Sequence, residues 1–333
     1  MLILAMLALA QAAPQQGPMK TFGDWVVACD NVKRCEMTSL MPEGGDWSDN
    51  GWQMSVVRAA GANGGWTVEL IGEETRAGLT VHVEGAPAAS AAAVWRGDSF
   101  SGGEALSLVA ALANGKAVVV RDGAGKVLGR ISLAGSSASL RFIDAEQGRA
   151  GTVSAAVAKG AKPASAVPAA PALPVVASIR AMGVPAALSS ALLDQLWTQS
   201  DCAENYETES RPEVGRHALG GGATLVLVPC GAGAYNFSSV PYVVRAGKAQ
   251  LAMFDSQPGW TGDGPPMLVN AGFDARTGEL GSYAKARGIG DCGSAETYVW
   301  DGSRFRLTEA RGMGECRGSI NWLTVWRARA VPR

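Results

Sequence analysis

The sequence predicts a mainly β (α+β) fold: two antiparallel β domains with a few short helices, joined by a Pro/Ala linker. Three observations carry this expectation. The chain has 333 residues, a length that suits about two domains. Its 43 glycines and 10 tryptophans, set among many Val and Thr, favour short strands and tight turns over long helices. Residues 158–176, AKGAKPASAVPAAPALPVV, place prolines among alanines as an extended, semi-stiff connector. The connector separates an N-terminal β-rich domain, 19–157, from a C-terminal domain, 177–330, expected as a helix followed by an antiparallel meander.

The elements follow in order. Residues 1–12, MLILAMLALAQA, form a short apolar run closing on a small-x-small site, the pattern of a cleaved signal peptide. The expected location is therefore periplasmic. The run is too short for a membrane span, and no later segment offers 18 unbroken apolar residues. Phe22, Trp25 and Val27 flank a Gly-Asp turn and read as an entering strand. Residues 52–60 and 66–72 alternate apolar and polar side chains around GANGG, which predicts a β-hairpin. A strand at 79–83 follows, then a helix from Glu104 to Ala113 stopped by Asn114-Gly115. A second hairpin, 116–135, turns at Asp122-Gly123. Asp144 is read as an N-cap for a weak helix ending at Gly160. In the second domain Pro185 opens a helix, with Leu188, Leu192, Leu193, Leu196 and Trp197 on one face. Strands are expected at 223–230, 234–245, 249–254, 266–274, 280–288, 295–301, 304–310 and 321–329. Pro241 requires an edge or a bulge.

The chemistry starts with six cysteines: Cys29, Cys35, Cys202, Cys230, Cys292 and Cys316. An even number in an exported chain predicts disulfides. Locality pairs them as 29–35, 202–230 and 292–316, among fifteen possible connectivities. No C-x2-C pair exists, and only His82 and His217 could complete a zinc site, so neither a metal nor a cofactor is expected. Neither histidine has a G-x-S-x-G elbow to serve. The acidic stretch 201–213, with Asp201, Glu204, Glu207, Glu209 and Glu213, lacks EF-hand spacing and reads as a solvated loop. The glycines of 220–237 have no following Lys-Ser/Thr and lead into a strand, which argues against a phosphate loop. Tyr235 and Asn236 after them read as structural. Cys292 beside Ser294 would need an open thiol and a base to act as a nucleophile. Arg304/Arg306 and Arg327/Arg329 each share one sheet face, an anionic-ligand face or simply the solvated side; Arg311 and Arg317 lie nearby. Net charge is −1, with no basic half, which excludes a nucleic-acid footprint.

The stretches LVLVPCGAGAYN, KARGIGDCGSAETYVWDGSRFRLTEA, the closing CRG and ASLRFIDAEQGRAGTVSAAVAKG together resemble a bacterial family, the domain of unknown function numbered 1176, over most of the mature chain. The opening FGDW...C...C is similar to the invasion-associated locus B family. These resemblances imply an exported envelope protein of Gram-negative bacteria, with no established activity and no functional residues to carry over. The expected function is a disulfide-stabilised, non-catalytic binding protein whose partner is an envelope protein or glycan. The alternatives are an envelope hydrolase using Asp291, Glu296 or the 201–213 carboxylates, and an inhibitor of a hydrolase.

Overall fold

A computed structural model describes residues 13–45, 51–72, 75–87, 92–259 and 261–333. The expected signal segment, 1–12, lies outside the described residues. The chain is mostly β, in several antiparallel sheets with three α-helices.

The N-terminal part runs β1 (Met19–Phe22), β2 (Trp25–Cys29), β3 (Cys35–Ser39), β4 (Trp52–Arg58), β5 (Trp66–Gly72), β6 (Thr80–Glu84), β7 (Ala92–Val94), β8 (Phe100–Ser101), α1 (Gly102–Leu112), β9 (Ala117–Arg121), β10 (Val127–Ser132) and α2 (Ser136–Glu146). Six strands form one sheet in the order β1-β2-β3-β4-β5-β8, and four form another, β10-β9-β6-β7. The two expected hairpins are present as β4–β5 and β9–β10. The second turns where Asp122 Oδ1 accepts the amides of Ala124 and Lys126, both at 2.9 Å. The weak helix expected at 145–160 is absent; the helix lies earlier, at α2. Asp144 sits inside α2, and its carboxylate accepts the amides of Ala156, Val157 and Ala158 at 2.8–3.0 Å. That anchor folds 147–160 back as turns through the positive-φ Gly148 and Gly151.

The C-terminal part contains β11 (Val175–Ser178), α3 (Ser190–Gln199), β12 (Gly215–Gly220), β13 (Ala223–Ala232), β14 (Phe237–Arg245), β15 (Lys248–Leu251), β16 (Leu268–Val269), β17 (Gly272–Asp274), β18 (Glu279–Lys285), β19 (Gly293–Trp300), β20 (Phe305–Met313), β21 (Leu323–Arg327) and β22 (Arg329–Pro332). The meander is β17-β18-β19-β20-β21, facing a second sheet, β12-β13-β14-β15 with β16 on β14. α3 begins at Ser190, five residues after Pro185, because Ser189 caps it by accepting the Leu192 amide at 3.2 Å. Pro241 falls between the stretches of β14 paired to β15 and to β16, so its missing N–H breaks neither ladder. The 158–176 segment holds one short 3-10 turn, Ala164–Ala166, buries Val167, and leads into β11, which pairs in parallel with β22.

β2 and β3 are buried along their whole length. Alternation explains how. Trp25, Val27 and Cys29 face the N-terminal core, while Val26 and Ala28 enter the core that also holds Leu280, Tyr298 and Leu323. Both halves of the chain thus share one apolar cluster, and each fully buried Val or Leu side chain there contributes about 1.5–3 kcal/mol.

Candidate functional site

All six cysteines are paired: Cys29–Cys35, Cys202–Cys230 and Cys292–Cys316. Cys292 is therefore no nucleophile. No group of three metal-binding side chains occurs among the described residues. His217 packs at a tilt against Phe273, with ring centroids 5.0 Å apart, and burial lowers its pKa. The acidic stretch stays in exposed loop and 3-10 turns. Arg306 and Arg327 do not form a free anionic-ligand face. Arg306 meets Asp255 at 2.6 Å and Asp301 at 3.5 Å, and Arg327 meets the buried Asp30 at 2.6 Å.

Asp291 and Glu296, the carboxylates considered for hydrolysis, have different surroundings. Asp291 accepts the Gly318 amide at 2.7 Å and two bonds from Arg287. Burial opposes ionisation, yet those bonds outweigh it and its pKa is lowered. Glu296 is 5% exposed, and burial pushes its carboxyl up to about 7, partly offset by the neighbouring Ser294 hydroxyl and the Gly259 amide.

Glu296 belongs to a row. Ser294, Glu296, Tyr298 and Trp300 alternate along β19 and so share its inner face. Among the described residues, Glu296 Oε2, Tyr298 OH and Trp300 Nε1 are buried without a hydrogen-bond partner. Ser294 Oγ lacks a well-formed bond although it lies beside the carboxyl. Four such atoms on one strand face are unusual, since buried polar groups are nearly always bonded. Burial, with the charges of Glu296 and Asp255, also raises the Tyr298 pKa. Sequence reading singled out Glu296 and Ser294 separately; the period-two spacing of SAETYVW was the available signal for the row.

A groove of about 260 Å3 opens at the Trp300 end. Its walls are β14–β15, through Val243, Arg245, Lys248 and Gln250, and the turn after β19, with exposed Leu251 and Met253 at the rim. Arg245 and Lys248 are direct cross-strand partners, brought together by the two-residue turn Ala246-Gly247, both at positive φ. The Arg245 guanidinium lies 5.5 Å from the Trp300 ring centroid and donates to Gly302 O at 2.8 Å. Neither cation forms an ion pair among the described residues. A second cavity of about 370 Å3 beside α3 also holds arginines, but there Glu213 supplies an opposing charge 3.9 Å from Arg216. The first groove is thus the more electropositive of the two, and sequence reading missed it because Arg245 and Lys248 look like ordinary hairpin residues.

Three comparisons with known proteins place the chain. The family model described as "Protein of unknown function (DUF1176)" matches residues 19–329. The chain is 31% identical over 353 aligned positions to "Uncharacterized protein YpfG" of Escherichia coli (strain K12), covering 97% of this chain and 95% of that protein. Among solved structures, invasion associated protein B from Bartonella henselae is similar at 17% identity with a TM-score of 0.29, over 39% of this chain and 99% of that one.

Proposed function

The chain belongs to the DUF1176 family, and from that premise we propose that it is an exported, non-catalytic binding protein of the cell envelope that takes an anionic partner at the Arg245–Lys248–Trp300 groove. The observation that carries the reading is the pair of cations that form no ion pair among the described residues, set against an indole and an apolar rim. Such a site attracts an anion by charge and holds its apolar part by burial. Three disulfides support an oxidising compartment such as the periplasm. No helix among the described residues is long and apolar enough to cross a membrane. The test is fluorescence anisotropy with a labelled hexaglutamate peptide at low salt, using the full chain and the double variant Arg245→Gln/Lys248→Gln. At least tenfold weaker binding by the variant supports the proposal; equal binding by both proteins, or none by either, rejects it.

The hydrolase reading retains one favourable observation, the Glu296 carboxyl at about 7, which suits a general acid. Against it stand the burial of Glu296 and the commitment of Asp291 to Arg287 and Gly318. Turnover of fluorogenic glycan substrates that disappears in Glu296→Gln would favour the enzyme over the binder.

A further inference from the structure

We propose that Glu296 is a proton-operated latch for the strap Ser256–Gly259: protonated, it stays in the sandwich beneath the strap; ionised, it draws the strap off and lets water reach the inner row of β19.

At its N-terminal end the strap is fixed by bonds that leave Glu296 untouched, and at its C-terminal end the Thr261 amide donates to Pro258 O at 3.0 Å. Phe254 packs edge-on to Tyr298 at 4.9 Å and stacks on Phe305 at 5.2 Å. The Asp255 amide donates to Phe305 O at 3.1 Å, and its carboxylate accepts the Leu307 amide at 2.8 Å and Arg306 Nε at 2.6 Å. Beyond this hinge Pro258 is buried, and the Gly259 amide donates to the Glu296 carboxyl. The backbone comes so close that a Cβ at Gly259 would collide with Ser294 Oγ and Glu296 Oε1. The contact therefore requires glycine. The strap sits directly on the titrating group.

Among the described residues Glu296 forms no ion pair that would supply a countercharge when it ionises. On its own strand it has Ser294 and Tyr298. At the matching register β18 offers Ser282 and β20 offers Ala310, followed by Trp326 of β21. On the strap side Asp255 is held by Arg306. The Gly259 amide favours the charged form, but burial outweighs it; with one carboxyl oxygen unpartnered, the charged form is relieved most simply by water, which requires the strap to lift. Burial holds the closed-state pKa at about 7, against 4.5 for the solvated group. Closure therefore binds a proton, is favoured fully below about pH 4.5, and weakens as pH rises through 7.

The experiment is NMR on the full chain between pH 5 and 8. Carboxyl 13C shifts titrate Glu296 while amide exchange, corrected for its intrinsic base catalysis, follows Gly259 and the strap. The expected result is one midpoint for both readouts, with strap protection falling by about one to two orders of magnitude from pH 5 to 8 while Leu225–Val228 of β13 stay protected. Glu296→Gln should hold the strap closed throughout. Different midpoints in the wild-type chain, pH-independent strap protection, or an unchanged pH response in Glu296→Gln would each overturn the latch. The wild-type titration decides even if the variant fails to fold.

Discussion

Glu36 on β3 and Glu296 on β19 are almost equally buried, at 8% and 5% exposure, yet their regions solve the problem of a buried carboxylate in opposite ways. Glu36 lies where the N-terminal sheet meets β21. It accepts from Arg34 at 2.8 Å, Ser55 at 3.0 Å and Asn321 at 2.8 Å. Around it Asp30 accepts the Val32 and Arg34 amides and Arg327, and Arg317 reaches Met41 O, Gly23 O and Asp24. Glu296 has an unpartnered oxygen in a row of unpartnered groups. The difference teaches that burial alone does not assign a role. A carboxylate with its acceptors filled specifies how two sheets dock, whereas one left short of partners keeps a proton equilibrium available.

The same substitution in both places tests this most severely. Glu36→Gln should lower unfolding free energy by about 2–4 kcal/mol in urea titration at pH 7, because it removes a charge-assisted acceptor and turns an amide donor toward donors. Little or no loss would erase the distinction. Glu296→Gln should act with the opposite sign and only at high pH. The raised folded-state pKa means that the wild type loses stability as pH rises from about 4.5 through 7. The variant should therefore match the wild type near pH 4 and exceed it by up to about 3 kcal/mol at pH 8. Parallel stability-pH curves for the two proteins would show that Glu296 does not titrate in the folded chain.

Two smaller effects sharpen the comparison. Cys29–Cys35 spans 6 positions beside the docking face, and Cys292–Cys316 spans 24 near the start of the inner row. Replacing both cysteines by serine should cost about 1 kcal/mol less for the shorter bridge, since it restricts the unfolded chain less. Equal losses would mean that the short bridge organises the docking face itself. Asn321→Ala removes one of three donors to Glu36 and should cost about 1 kcal/mol. A cost near zero would mean that Arg34 and Ser55 suffice to hold the carboxylate.

Much of the fold was legible because it is written locally. The GANGG and Asp122-Gly123 turns and the period-two runs around them locate β4–β5 and β9–β10, and the short turns 275–278 and 301–304 join β17 to β18 and β19 to β20. The misplaced helices have physical causes. Asp144 looked like a cap, but its carboxylate binds amides twelve to fourteen residues ahead. Pro185 looked like a first helical residue, but the capping hydroxyl is Ser189. The candidate site was legible only in fragments: Glu296 and Ser294 were noticed, whereas Arg245, Lys248 and Gly259 gave no sign by themselves.

The sequence by itself determined the strand and turn alphabet, the glycine-rich bends and an even set of cysteines, because those depend on backbone preference and near neighbours. Tertiary structure alone decided which carboxylates are satisfied. Asn321 reaches Glu36 across 285 positions and Arg327 reaches Asp30 across 297, while Glu296 receives a backbone amide and no cation. Hydrogen bonding and desolvation are set by whichever distant segments fold against a side chain, and no local pattern states which those will be.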